Sequence, residues 1–123
     1  MNGGMAIQPL TQAGSNLDMI NIMSYDAGPW STYDPKTALE AYSSYFHGRV
    51  LVGMEVAPEQ WGGHVISLSE VDSLAAYVVT RRTAGLMLWS AHKKAASGTP
   101  TANQISQQVC NNFSLSGCSS PLV

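Results

Sequence analysis

Charge is scarce in this chain. Only 11% of its 123 residues are Asp, Glu, Lys or Arg, against roughly a quarter in soluble domains generally. The six Lys and Arg residues form no run longer than Arg81-Arg82 or Lys93-Lys94. The phosphate-neutralising patch of a nucleic-acid binder is therefore missing, and no nucleic-acid partner is expected. Long apolar runs are lacking as well, so no membrane partner is expected. The opening MNGGMAIQPL has neither the basic region nor the apolar core of a signal peptide, so any export signal is expected to lie outside this chain. His47, His64 and His92 are widely spaced and show no ligand pattern, so neither a metal nor another cofactor is expected. Cysteine is down to two residues, Cys110 and Cys118. They can close a small disulfide loop if NNFSLSG turns back, or stand as free thiols. The flanking composition and the sequon Asn112-Phe113-Ser114 favour the bonded, secreted reading.

What the chain has instead is apolar residues, 45% of the total, enough for one modest core. Its surface is made polar by Ser, Thr, Gly, Asn and Gln, which suits neutral ligands such as sugars better than polyanions. Three apolar runs stand out: LDMINIMSYD at 17–26, VLVGMEV at 50–56 and GLMLWS at 85–90. Each ends on polar or aromatic groups, namely Tyr25 and Asp26, Glu55, and Trp89. This is how buried parallel strands look when their carboxyl ends open into a site. A period of two puts Met19, Asn21, Met23 and Tyr25 on one side of the first run and Ile20, Ile22 and Ser24 on the other. The aliphatic side suits packing helices. In the third run Gly85, Met87 and Trp89 share a face opposite Leu86 and Leu88.

Helical patterning fills the gaps. Asp34-Pro35 predicts a capped start to a helix over about Lys36 to Phe46, with Ala38, Leu39, Tyr42 and Tyr45 inward. Ser67-Leu68-Ser69-Glu70 is a capping box that opens a helix reaching about Arg82, with Leu68, Val71, Leu74, Ala75, Val78 and Val79 inward. A third helix is predicted over about Thr101 to Phe113, with Ile105, Val109 and Phe113 inward. The alternation of strand and helix is the signature of a parallel α/β architecture. Residues 1–16 read as a lead-in with a short turn of helix near Leu10–Ala13, and residues 114–123 as a tail.

The residues carry a resemblance. MSYD at 23–26 and GLMLWS at 85–90, separated by two helical crossovers, resemble the sixth and eighth strands of the family 18 glycoside hydrolases, the chitinase-type enzymes. VLVGMEVAP is similar to their seventh strand. The likeness runs from about Leu17 to Phe113 and implies the last three βα units, strands 6 to 8, of a (β/α)8 TIM barrel, with the site at the carboxyl ends of the strands. Residues 17–113 would then be part of a catalytic domain. The resemblance implies retaining, substrate-assisted hydrolysis of β-1,4-linked N-acetylglucosamine polymers, in which the N-acetyl oxygen of the sugar attacks the anomeric carbon and one glutamic acid protonates the leaving oxygen. On that basis Tyr25 donates a hydrogen bond to the reacting N-acetyl group and Asp26 contacts the same sugar. Trp89 forms the floor of the subsite, and Met23 lines the pocket beneath. From the residues alone, Trp30 offers an indole on the adjoining loop or packs against its own helix, and Glu55 is a structural or a subsite contact.

The family's acid lies in a DxxDxDxE motif, and Asp18, Asp26, Asp34 and Asp72 are each followed by other residues. With roughly 250 residues in a complete barrel, the chain is expected to be the C-terminal part of a secreted chitinase, Met1 being internal to it. It is expected to show little or no turnover alone and to leave open strand edges that pair with the missing N-terminal barrel segment or a second copy. A competing expectation is a non-catalytic protein that binds chitooligosaccharide through Tyr25, Trp89 and Trp30. Each residue also has a plainer reading. Tyr25 and Asp26 can be an ordinary strand end, Trp89 can be core, and Met23 can be core filling.

Overall fold

The computed structural model describes residues 6–25, 34–57, 63–82 and 84–122. They form α1 (Ile7–Ala13), a 3-10 turn (Gly14–Asn16), β1 (Met19–Ile22), α2 (Pro35–Ser43), β2 (Arg49–Glu55), α3 (Leu68–Thr80), β3 (Ala84–Trp89) and α4 (Ala102–Asn112). The strands pair in parallel in the order β1-β2-β3, with Ile20 opposite Val50 and Glu55 opposite Trp89. This is the α/β alternation that the sequence predicts.

Local chemistry sets the helix starts. Asp34 accepts hydrogen bonds from the backbone N–H groups of Lys36 and Thr37 at 3.0 and 3.2 Å, with Pro35 in the first helical position. Ser67 and Glu70 close the capping box of α3, and Thr101 and Gln104 close another on α4. Each cap satisfies N–H groups that the first helical turn cannot.

The core lies on one side of the sheet. Ile22, Val50, Val52 and Met54 pack there against Leu39 of α2, Val71, Leu74 and Val78 of α3, and Ile105 of α4, with Leu10 of α1 at the margin. The opposite side carries Met19, Asn21, Leu51, Gly53, Glu55, Gly85, Met87 and Trp89 by strand alternation. Met19 and Trp89 are exposed there. Parallel sheets normally have both faces covered. Here the described helices cover one.

Three details differ from expectation. The β1 ladder ends at Ile22, so Tyr25 lies beyond the paired strand and not within it. α2 stops at Ser43, and the chain then turns Phe46, not Tyr45, into the core; Tyr45 is 45% exposed. The apolar stripe of α3 is narrower than its sequence suggests, since Leu68 is only partly buried and Val79 is exposed.

The tail is fastened to α4. Cys110 and Cys118 form a disulfide, and the Leu122 N–H donates to Asn103 Oδ1 at 2.8 Å. The sequon residue Asn112 uses its side-chain amide to donate to Asp72 Oδ1 at 2.6 Å and to the Gln108 carbonyl at 2.9 Å. It ties α4 to α3.

Candidate functional site

The carboxyl end of β1 is built by a serine. Beyond Ile22, Ser24 turns back through its N–H to the Ile22 carbonyl at 2.9 Å. Its buried hydroxyl donates to the Gly53 carbonyl of β2 at 2.8 Å. This side-chain bond replaces the ladder where β1 has ended and carries the chain on to Tyr25. The ring of Tyr25 then lies against Gly53: a Cβ at position 53 would meet Tyr25 Cε1 at 2.8 Å and the Ile22 carbonyl oxygen at 2.7 Å. Only the missing side chain leaves room for the phenol.

Two residues along β2, on the same side of the sheet, stands Glu55. It is 2% exposed, and its Oε2 is 3.7 Å from Lys93 Nζ. A buried carboxylate of this kind needs a charge partner, and Lys93 provides one from the turn after β3. Trp89 is the parallel partner of Glu55 and presents its indole on the face that no described helix covers, 53% exposed. Phenol, carboxylate and indole thus come from the ends of three adjacent strands. An indole that is half open to solvent offers an apolar platform, while the phenol can bond a polar edge. That combination suits a neutral polyhydroxylated ligand.

Tyr25, Gly53 and Glu55 also line a cleft of about 250 Å³, bounded by the first turns of α2 and α3. At its lip His64 Nε2 lies 2.6 Å from Glu70 Oε1, and Lys36 Nζ donates to Ser73 Oγ at 2.7 Å. Burial raises the Glu70 pKa, but hydrogen bonds from the Ser67 backbone and hydroxyl and from His64 outweigh it, leaving the carboxyl below its ordinary value. Asp34 is held below its ordinary value chiefly by the Thr37 hydroxyl, against a smaller opposing effect of burial. Helix N-termini ordinarily attract anions. Here Asp34 caps α2, and Ser67 with the Glu70 carboxylate closes the capping box of α3, so both helix starts are already satisfied within the chain. Among the described residues no group of three or more His, Cys, Asp or Glu is placed to hold a metal.

Of the residues singled out from sequence, the structure brings Tyr25, Glu55 and Trp89 to one end of the sheet. Met23 is 72% exposed, beyond the last pair of β1, and does not line the cleft. Asp26 and Trp30 lie outside the described residues. Sequence reasoning missed Ser24, Gly53, Lys93 and the His64–Glu70 pair. The T-x-x-Q box at Thr101 was a readable signal for α4, but no local pattern announces Lys93 as the partner of Glu55. Comparison with protein-family models, with curated proteins and with solved structures gave no match.

Proposed function

We propose that this chain is a chitinase-type glycoside hydrolase segment, the last three βα units of a (β/α)8 barrel, acting on β-1,4-linked N-acetylglucosamine polymers. The observation that carries the reading is the convergence of Tyr25, Glu55 and Trp89 at the carboxyl end of a three-stranded parallel sheet whose second face is covered by none of the described helices. A parallel sheet covered on one side is what a barrel segment looks like, because closure turns the second face into the interior. Tyr25 bonds the N-acetyl group, Asp26 contacts the same sugar, and Trp89 stacks on its apolar face. Hydrolysis is substrate-assisted with retention. The general acid is supplied from outside these residues, since no DxxDxDxE occurs in the sequence. The Cys110–Cys118 bond supports an extracellular setting.

A second reading, a non-catalytic chitooligosaccharide-binding protein, draws on the exposure of Trp89 and the missing acid. Both readings predict saturable quenching of tryptophan fluorescence by chitohexaose and negligible release from a fluorogenic chitobioside by the chain alone. Adding a segment that carries DxxDxDxE in trans restores turnover under the first reading only. No binding of chitohexaose at millimolar concentration would overturn both.

A further inference from the structure

We infer that Glu55 is a positioning residue, which through Lys93 fixes the turn after β3 and so aims the Trp89 indole. The functional consequence rests on the sugar-binding reading above; the positioning itself does not.

Glu55 and Trp89 are parallel partners in adjacent strands, with side chains on the same side of the sheet. The two differ sharply in exposure, the carboxylate being buried and the indole half open. A carboxylate covered to this extent is a poor direct contact for a ligand arriving from solvent. What it does reach is Lys93, whose side chain is itself only 20% exposed. Lys93 sits four residues after Trp89, in a turn closed by its own N–H to the Ser90 carbonyl at 3.1 Å.

The same turn is joined to the end of β2 by backbone bonds on either side of the ion pair. The Val56 N–H donates to the Trp89 carbonyl at 2.8 Å, and the Ala96 N–H reaches the Ala57 carbonyl at 3.4 Å. Thr99 Oγ1 contacts the Ala57 carbonyl at 3.5 Å. The backbone bonds fix where the segment enters and leaves. Between them the Glu55–Lys93 contact is made by side chains, so it bears on the path of the segment carrying the indole. Loss of either charge removes that contact and leaves the other group partly buried with one charge partner fewer. The turn then shifts to bring water or another group to the remaining charge, and Trp89 shifts with it.

The test uses the full chain with Trp30→Phe and Trp61→Phe, so that Trp89 alone reports. Acrylamide quenching is measured in this parent, in Glu55→Gln, in Lys93→Met and in the double variant, with thermal unfolding as the check on folding. The positioning role predicts that each single change raises the quenching constant of Trp89 by roughly half or more while unfolding stays cooperative. It also predicts that the double variant is no worse than either single one, since both remove the same contact. Lys93→Arg, which keeps the charge, should behave as the parent. Should Glu55→Gln fail to fold, Lys93→Met and the double variant still decide the matter. Unchanged Trp89 quenching in folded Lys93→Met would overturn the inference, as would additive effects.

Chitohexaose titration of the chain with all its tryptophans is the functional arm. Here Lys93→Met, which removes no group that lines the cleft, should weaken binding roughly three- to tenfold, the worth of one misaligned stacking contact. If the unaltered chain binds no sugar, the functional reading falls while the quenching result stands. If Glu55→Gln abolishes binding with Trp89 quenching unchanged, Glu55 is a direct sugar contact and the positioning role is wrong.

Discussion

The phenol ring of Tyr25 occupies the space that a side chain at Gly53 would take. A methyl group there would fall 2.8 Å from the ring and 2.7 Å from the Ile22 carbonyl oxygen. The ring can swing away, but the carbonyl belongs to the β1–β2 junction and cannot yield cheaply. Gly53→Ala is therefore an overpacking change, costing about 2 kcal/mol, and it expels Tyr25 from the sheet surface. A thermal melt should show a midpoint several degrees lower. A midpoint and a tyrosine environment both unchanged would show that the contact does not hold in solution.

Ser24 makes the complementary prediction. Its hydroxyl is buried and is the bond that joins the chain beyond β1 to the Gly53 carbonyl. Ser24→Ala leaves that carbonyl short of a donor, at a cost of about 1–2 kcal/mol, and frees the backbone that aims Tyr25. Ser24→Thr keeps the hydroxyl and should recover part of the loss. Amide exchange at Tyr25 is the direct measurement: faster exchange in the alanine variant is expected, and equal rates would contradict this account.

Trp89→Ala separates a site role from a core role. A core tryptophan cut to alanine costs about 3–5 kcal/mol. Trp89 is half exposed, so its removal should change stability by only about 0.5 kcal/mol. Chitohexaose binding, by contrast, should weaken at least tenfold, on the order of the stacking energy of one indole with a sugar face. A large drop in unfolding free energy with unaltered binding would return Trp89 to the core.

The elements were readable because local chemistry encodes them. Asp34-Pro35 and Ser67 with Glu70 mark two helix starts whatever the tertiary setting, and the period of two assigned Ile22 to the packed face and Met19 to the other. The end of α2 was harder, because Tyr45 and Phe46 both fit helical spacing from Tyr42. What decides between them is that the helix stops at Ser43 and the Phe46 ring lies against Gly48, close enough that a Cβ there would clash at 2.4 Å. Contacts of long sequence separation left no local trace at all. Nothing in VLVGMEV says that Gly53 must be bare for Tyr25, and nothing in AHKK says that Lys93 belongs to Glu55. Such pairs become visible only once the strands are in register.

Acid should loosen the rim of the cleft before it melts the core. Asp34 and Glu70 both have carboxyl groups held below their ordinary values. A group whose folded pKa is depressed stabilises the native state above the unfolded value, and that contribution disappears as pH falls through the lower folded one. The stabilisation is thus complete at about pH 5 and above and is lost progressively below. Both groups are largely solvent-accessible, so the effect is small for each. Asp34→Asn with Glu70→Gln should flatten the acid limb of a stability–pH curve while leaving its neutral plateau only slightly lower. An acid limb as steep as in the unaltered chain would assign acid sensitivity to other groups.

The disulfide provides the last test, because it separates the tail from the sheet. Cys110 and Cys118 are eight residues apart, and closing so short a loop restricts the unfolded chain by about 2.5 kcal/mol in the entropic account. The bond also holds Leu122 where its N–H meets Asn103 near the start of α4. Cys110→Ser with Cys118→Ser should lower the unfolding free energy by about 2 kcal/mol and speed amide exchange in the last turn of α4 and at Leu122. The spectroscopic signals of Trp89 and Tyr25, at the far ends of the strands, should stay as they are. If the double serine variant instead lost the Trp89 signal together with its stability, the tail would be part of what holds the site, and its treatment as a separate fastening would be wrong.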